Sequence, residues 1–500
     1  MSTLSDQIHG VLALDPAASA IEFEQQWTTW GELGAVMQEI DALLNAAGLP
    51  AGARVGVMMR NHVLTAATLL EIVVSDRCVV TLNANLPDDR LAADIAAMKV
   101  PAVIGLARDW ARGPVADAVK VAGAVGIVLG EGEPVALVDG LGAITGADLR
   151  REAPGTVIEM LSSGTTGTPK RIPLKATSFA KGIEEAGVFE GRKPGEPARL
   201  RRGVLLVCGP FTHMSGVFNI VNAAASGRQV CLLEKFTVDT WVDAVRRHQL
   251  KVAWAPPSGL RMILDKGVPK EDLASLLTLR TGTAPVDPKL AEDLHDTYDL
   301  PLLQNYGATE FAGAVAGWTL AEYKEKFAQK RGAVGKINKG VSARIVDPET
   351  GTELPFGETG LLELRSSQLG DEAAWVRTSD LAVLDDENFL WIKGRHDGAI
   401  IRGGFKIQPD DVARALESHP AILEASVVGL PDERLGQVPV AGFVLRRDAV
   451  EPDVAELQAF LKERLLAYQV PARFLKLDEF PRTPSMKVSQ PELKALFAAS

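Results

Sequence analysis

Cysteine is scarce: Cys78, Cys208 and Cys231 are the three in 500 residues, far apart and with no CxxC pair. That argues against a disulfide framework or a zinc site. It fits a reducing compartment in which each is a small buried hydrophobe. An excess of positive charge is also lacking. Lys plus Arg number 53 against 64 Asp plus Glu, a net charge of -11. Such a chain has no general attraction for nucleic acid or anionic lipid. Apolar runs are short, "VAGAVGIVLG" at Val121–Gly130 being one of them, and a membrane helix needs about 20 residues. The start, "MSTLSDQIHGVLALD", has no basic leader. The expectation is a cytoplasmic, soluble protein with no membrane span and no nucleic-acid partner. Internal repeats and long low-complexity tracts are missing too.

What is present is an ordinary globular composition, 46% hydrophobic and 23% charged. Five hundred residues exceed one core, so at least two domains are expected. Helix-like and strand-like pieces alternate. "TTWGELGAVMQEIDALLNAAGL" reads as an amphipathic helix with Thr29 as N-cap, Glu32 closing a capping box and Gly48 near its end. "ARVGVMM", "CVVTLN", "GVLLVCG", "QVCLLE" and "KVAWAPP" read as strands between helices, which implies α/β architecture with largely parallel sheets. After about Val341, short strands joined by turns suggest a small antiparallel region. The last hundred residues read as a compact α+β unit, with a helix over "DVAELQAFLKERLLAYQVP" ending before Pro471. "EGRKPGEPARLRRG" at Glu190–Gly203 reads as a solvated basic loop.

"LSSGTTGTPK" at Leu161–Lys170 suits neither helix nor strand. Glycines let a backbone approach an anion, hydroxyls add donors, and the lysine adds a mobile charge, so the segment reads as a phosphate clamp. On composition alone a surface linker is an equal alternative. A Walker A loop is excluded, because Gly164 and Gly167 are three apart and Lys170 follows Pro169.

The string closely resembles the phosphate loop of the adenylate-forming superfamily of acyl-CoA synthetases, peptide-synthetase adenylation domains and luciferase. Further motifs of that family follow in its order: "YGATE" at Tyr306–Glu310, "RTSD" at Arg377–Asp380, "GRHDGAIIRGGFKIQP" at Gly394–Pro409 and "PRTPSMK" at Pro481–Lys487. The resemblance spans nearly the whole chain. It implies a large N-terminal domain of parallel-sheet α/β subdomains plus a small antiparallel β subdomain, residues 1–396. A small mobile α+β lid, residues 397–500, follows.

It also implies roles. Nucleotide contacts fall to Ser162, Ser163, Gly164, Thr165, Thr166, Gly167 and Lys170, then to Thr283, Ala284, Asn305, Tyr306, Gly307, Ala308 and Thr309, and to Asp380 and Arg395. Tyr306 offers an aromatic face to adenine and Asp380 accepts from the ribose hydroxyls. Glu310 is a hard oxygen donor for Mg²⁺. Lys487 bridges the attacking carboxylate and the α-phosphate, where it relieves repulsion in the transition state. Asp397 is the hinge, and Gly403, Gly404 and Phe405 lie along a coenzyme A tunnel. His213 lies near the acyl carboxylate, with Met214, Phe218, Gly282 and Gly307 completing the acid pocket. "PFTHMSGVFN" at Pro210–Asn219 offers Thr212 and His213 and no acid to pair a substrate amine, which disfavours amino acids. "FAGAVAG" at Phe311–Gly317 leaves open a wide pocket or tight strand packing.

The expected activity is an ATP-dependent acid–CoA ligase acting on an aromatic, alicyclic or fatty acid through an acyl-adenylate. Loading of a carrier protein, or acyl binding without thioester formation, are the alternatives, and a homodimer stays open. Four positions depart from the family pattern: Arg171, Ser379 and Met486 replace common glycines, and Ile401 stands where several members carry a lysine.

Overall fold

The computed structural model describes residues 3–161, 171–189, 192–193, 196–282, 286, 288–308, 311, 313–366, 374–396, 398–402, 405–432, 435–483 and 487–499. The capped helix forms as its sequence dictates. Thr29 Oγ1 accepts from the Glu32 amide at 3.2 Å and the Glu32 carboxylate accepts from the Thr29 amide at 2.8 Å. The helix Trp30–Ala46 then buries Trp30, Leu33, Met37, Ile40 and Leu44, one stripe at helical spacing.

Every residue of the strands Arg54–Met59 and Cys78–Asn83 is buried, as expected of parallel strands covered on both faces. They are the centre of a seven-stranded sheet. From Arg54–Met59 the chain first steps to Cys78–Asn83 on one side, and Ala102–Leu106 then pairs on the other. The crevice beyond the carboxyl end of Arg54–Met59 is therefore a topological switch point. Thr156–Leu161 extends the sheet in parallel beside Cys78–Asn83, and Arg171–Lys175 closes that side antiparallel.

A four-stranded sheet lies alongside, with Arg201–Val207, Arg228–Leu232 and Ser19–Phe23 parallel and Gln26–Thr29 antiparallel. A nine-stranded sheet begins with parallel Val252–Trp254, Thr278–Thr281 and Leu302–Ala308. It continues antiparallel from Gly313–Gly317 through Gly335–Ile337, Phe389–Arg395, Val376–Leu384 and Gly360–Arg365 to Ser342–Val346. The antiparallel strands thus continue the parallel ones in a single sheet. A fourth sheet comes wholly from Ile400–Arg402, Phe405–Ile407, Ile422–Asp432, Gly436–Leu445 and Arg473–Lys476. It covers its own core around Ile407, Leu416, Val427 and Leu457.

Two local expectations change. The late helix runs only over Val454–Lys462, because the chain turns there so that Leu465 and Tyr468 reach this core. The Tyr468 carbonyl then accepts from Arg402 Nη1 at 2.7 Å. In the basic segment, Arg192 is not solvated. Its guanidinium donates to Gln7 Oε1 at 2.8 Å and to the carbonyls of Ala225 and Ile183. The cysteines are free and buried as expected, and burial pushes each thiol up to about 12. Among the described residues no helix is long and apolar enough to cross a membrane.

Candidate active site

At the nine-stranded sheet, Asp380 and Arg395 stand directly opposite each other on neighbouring antiparallel strands. The Tyr306 phenol, at the end of the parallel Leu302–Ala308, donates to Asp380 Oδ2. Burial first, and then the Asp380 charge, pushes that phenol up, so it stays a protonated donor. The Asp380 amide donates to Thr378 Oγ1 at 3.1 Å, and Arg395 Nη2 donates to Ser379 Oγ. Ser379, unusual by family pattern, is thus an acceptor that steadies Arg395. Three expected residues, Tyr306, Asp380 and Arg395, are brought together.

The glycines nearby are explained by packing. A Cβ on Gly307 would meet the Gly313 carbonyl oxygen at 2.5 Å, and one on Gly282 would meet Asn305 Oδ1 at 1.9 Å. Gly313–Gly317 pairs with Leu302–Ala308, with Val315 and Ala316 buried. The small residues of "FAGAVAG" therefore serve close strand packing. Ala308 ends the strand that carries Asn305, Tyr306 and Gly307.

Ser162, Ser163, Gly164, Thr165, Thr166, Gly167 and Lys170 lie outside the described residues, but both flanks are clear. Leu161 pairs with Arg171, so the chain leaves and returns at one place on the sheet. Arg171 holds that return point. Its Nη1 donates to the Thr81 carbonyl at 2.7 Å and its Nη2 to both Asp94 oxygens, at 3.0 and 2.8 Å. Beneath it Arg54 grips Glu159 bidentately, at 2.9 and 2.6 Å. Planar forks of this kind fix geometry as well as charge.

His213 caps the helix Met214–Ser226 by position, with no side-chain cap bond. Loss of water around the ring, and then the positive charge of Lys487, hold its pKa down at about 4. Two residues remote in sequence thus face each other electrostatically. Lys487 is tied back to Thr483, whose amide donates to the Lys487 carbonyl at 2.7 Å, and the neighbouring Arg482 Nη2 donates to Glu424 Oε2 at 2.6 Å. Met214 is buried, while Phe218 meets Phe179 edge-on at 6.0 Å.

Thr283, Ala284, Thr309, Glu310, Asp397, Gly403, Gly404 and Met486 lie outside the described residues. So does the side chain of Phe405, whose backbone opens the strand Phe405–Ile407. Two groups escaped the sequence reading. Asp410 lies in the first turn of the helix Pro409–Glu417, and loss of water around its carboxyl pushes its pKa up. It packs with Gln408 against Gly394, next to Arg395. "PDD" read only as a helix start, and nothing local marked this neighbourhood. Asn61 is the other, and its contacts are taken up below.

A family model described as AMP-binding enzyme matches residues 11–371, and one described as AMP-binding enzyme C-terminal domain matches residues 411–487. The 4-coumarate–CoA ligase 5 of Oryza sativa subsp. japonica is 27% identical over 496 residues, covering 94% of this chain and 90% of that protein. The 4-coumarate–CoA ligase 3 of the same plant is 30% identical over 359 residues, 68% of this chain, and the chain spans 63% of that relative's length. ATP-bound MatB from Rhodopseudomonas palustris, a crystal structure 23% identical in sequence, shares the fold. Its TM-score is 0.82, with 99% of each chain covered.

Proposed function

The chain belongs to the AMP-binding enzyme family, and from that premise we propose that it is an ATP-dependent acid–CoA ligase for a hydrophobic carboxylic acid. The observation that carries this reading is convergence. Tyr306, Asp380 and Arg395 form one polar cluster, and the charge of Lys487 reaches His213.

In the first half-reaction a carboxylate oxygen attacks the α-phosphorus of ATP. The bond to the β-phosphate bridging oxygen breaks and pyrophosphate leaves. Asp380 and Arg395 hold the ribose, and the Ser162–Lys170 segment holds the β- and γ-phosphates. Lys487 lies between carboxylate and phosphate, where two anions would otherwise repel. Glu310, with Thr309 beside it, offers the hard oxygen donor that Mg²⁺ prefers, and the bound ion would neutralise phosphate charge.

In the second half-reaction the sulfur of coenzyme A attacks the acyl carbon, the bond to AMP breaks, and the thiol proton passes to solvent. An imidazole with a pKa of about 4 is neutral at working pH and a weak base. With Lys487 over it in this arrangement, the neutral His213 is assigned to orienting the acid for the first half-reaction. Residues 1–396 act as the adenylating domain and residues 397–500 as a lid that turns about Asp397. The fourth sheet, which begins at Ile400, supports that division. Gly403, Gly404 and Phe405 line the thiol's approach. The rice relatives are named for 4-coumarate, an aromatic acid, which favours the aromatic class.

The test is a panel of aromatic, alicyclic, fatty and amino acids with ATP, Mg²⁺ and either coenzyme A or a carrier protein. AMP and acyl-CoA are followed by mass spectrometry. Thioester formed from an aromatic acid and coenzyme A is the expected result. Response to amino acids alone, or transfer to carrier protein alone, would overturn it.

A further inference from the structure

The turn Arg60–His62 follows the central strand Arg54–Met59 and so lies at the switch-point crevice of the seven-stranded sheet. Each of its side chains is committed. Arg60 Nε donates to Asp109 Oδ1 at 2.8 Å, and its other nitrogens donate to Asn85 and the Ala84 carbonyl. His62 Nδ1 accepts from the Leu64 amide at 3.2 Å and caps the next helix. Asn61 points the other way, into the four-stranded sheet. Its Nδ2 donates to the Gly209 carbonyl at 3.1 Å and to the Leu233 carbonyl at 3.0 Å, and its Oδ1 accepts from the Phe211 amide at 2.9 Å. With carbonyls on one side and an N–H on the other, only one orientation of the amide satisfies all partners. The side chain is 6% exposed, so water cannot replace those bonds.

The partners are not arbitrary. Gly209 and Phe211 belong to the loop between the strand Arg201–Val207 and the helix Met214–Ser226, and that loop ends at His213. Leu233 follows the neighbouring strand Arg228–Leu232. From the opposite side the loop is pressed by Gly216, where a Cβ would meet the Pro210 carbonyl oxygen at 2.4 Å. The His213 amide in turn donates to the Pro210 carbonyl at 2.9 Å. The backbone from Gly209 to His213 is thus held between Asn61 and the first turn of the helix.

We infer that Asn61 is a positioning residue for His213: by fixing the backbone at Gly209 and Phe211 it sets where the imidazole stands relative to the acid. The inference rests on the reading that His213 faces the acid carboxylate. A displacement of about 1 Å in such a group costs up to about 100-fold in rate.

The test compares Asn61→Ala, Asn61→Asp, His213→Ala and the double variant Asn61→Ala/His213→Ala in the full-length enzyme. Each is measured for kcat/KM of its best acid, for KM of ATP and for thermal midpoint. Asn61→Ala is expected to lower kcat/KM for the acid about 10- to 100-fold while KM for ATP moves less than about twofold. In the His213→Ala background the same change adds less than about twofold, because the group it positions is gone. Asn61→Asp has the same shape and keeps the acceptor for Phe211 while losing both donors. Its second oxygen faces the Gly209 and Leu233 carbonyls, so its loss should be at least as large as that of Asn61→Ala; Asn61→Ser takes over the cycle should the alanine variant not fold. Losses that multiply in the double variant, or that strike ATP and acid equally, would assign Asn61 a general structural role and overturn the inference. An impaired His213→Ala beside an unimpaired Asn61→Ala overturns the inference alone. An unimpaired His213→Ala overturns the reading of His213 and the inference with it.

Discussion

Lys487 lowers the pKa of His213, although the two lie 274 positions apart in the chain. Burial is the larger cause and the lysine the second, and together they bring the imidazole to about 4. The folded pKa is depressed below the unfolded value of about 6.5, so the neutral ring stabilises the fold above pH 6.5. That contribution is lost as pH falls from 6.5 towards 4. A histidine NMR titration should find a midpoint near 4 in the wild type. In Lys487→Met the midpoint should rise without reaching 6.5, since burial remains. An unchanged midpoint would mean that Lys487 does not stand over His213.

Tyr306→Phe removes the hydroxyl that donates to Asp380 and leaves one carboxylate oxygen unpartnered. A hydrogen bond to a charged group is worth about 1.5–3 kcal/mol. KM for ATP in pyrophosphate exchange should therefore rise about tenfold or more, with KM for the acid nearly unchanged. Equal change in both would show that the cluster is not confined to the nucleotide side.

Arg171→Gly restores the residue common in the family and leaves Asp94 without its fork. The pair is largely buried, so removing one partner should cost on the order of 2–3 kcal/mol, visible as a lower thermal midpoint. KM for ATP should rise as well, because the phosphate segment loses its anchor. Adding Asp94→Asn should recover part of the stability, and a further drop would show the fork to be incidental.

Gly307→Ala and Gly282→Ala should differ. The first drives a methyl into the Gly313 backbone, which cannot move without breaking strand pairing, and should destabilise by about 1–3 kcal/mol. The second meets first the Asn305 side chain, which can turn aside. Thermal midpoints of the two variants decide the point.

The Thr29–Glu32 capping box was legible because its partners lie three residues apart and need no tertiary context. The buried strands Arg54–Met59 and Cys78–Asn83 were legible from short, mainly apolar runs. Motif order singled out Tyr306, Asp380 and Arg395, but not that Asp380 and Arg395 are cross-strand neighbours, since register follows from how a whole sheet is laid down. The helix after Asp453 was read too long because Leu465 and Tyr468 keep helical spacing while the core pulls them elsewhere. Arg192 looked like solvated charge because composition does not reveal carbonyls waiting in another segment. Asn61 was silent for the same reason: its partners lie far along the chain.

Arg171 directly follows Lys170 in sequence, yet its fork is already closed on Asp94. The cation density the nucleotide meets is therefore lower than a count of basic residues suggests. On the proposed reading, the ionic-strength dependence of nucleotide affinity should therefore carry no contribution from Arg171, and Arg171→Gly should leave its slope unchanged.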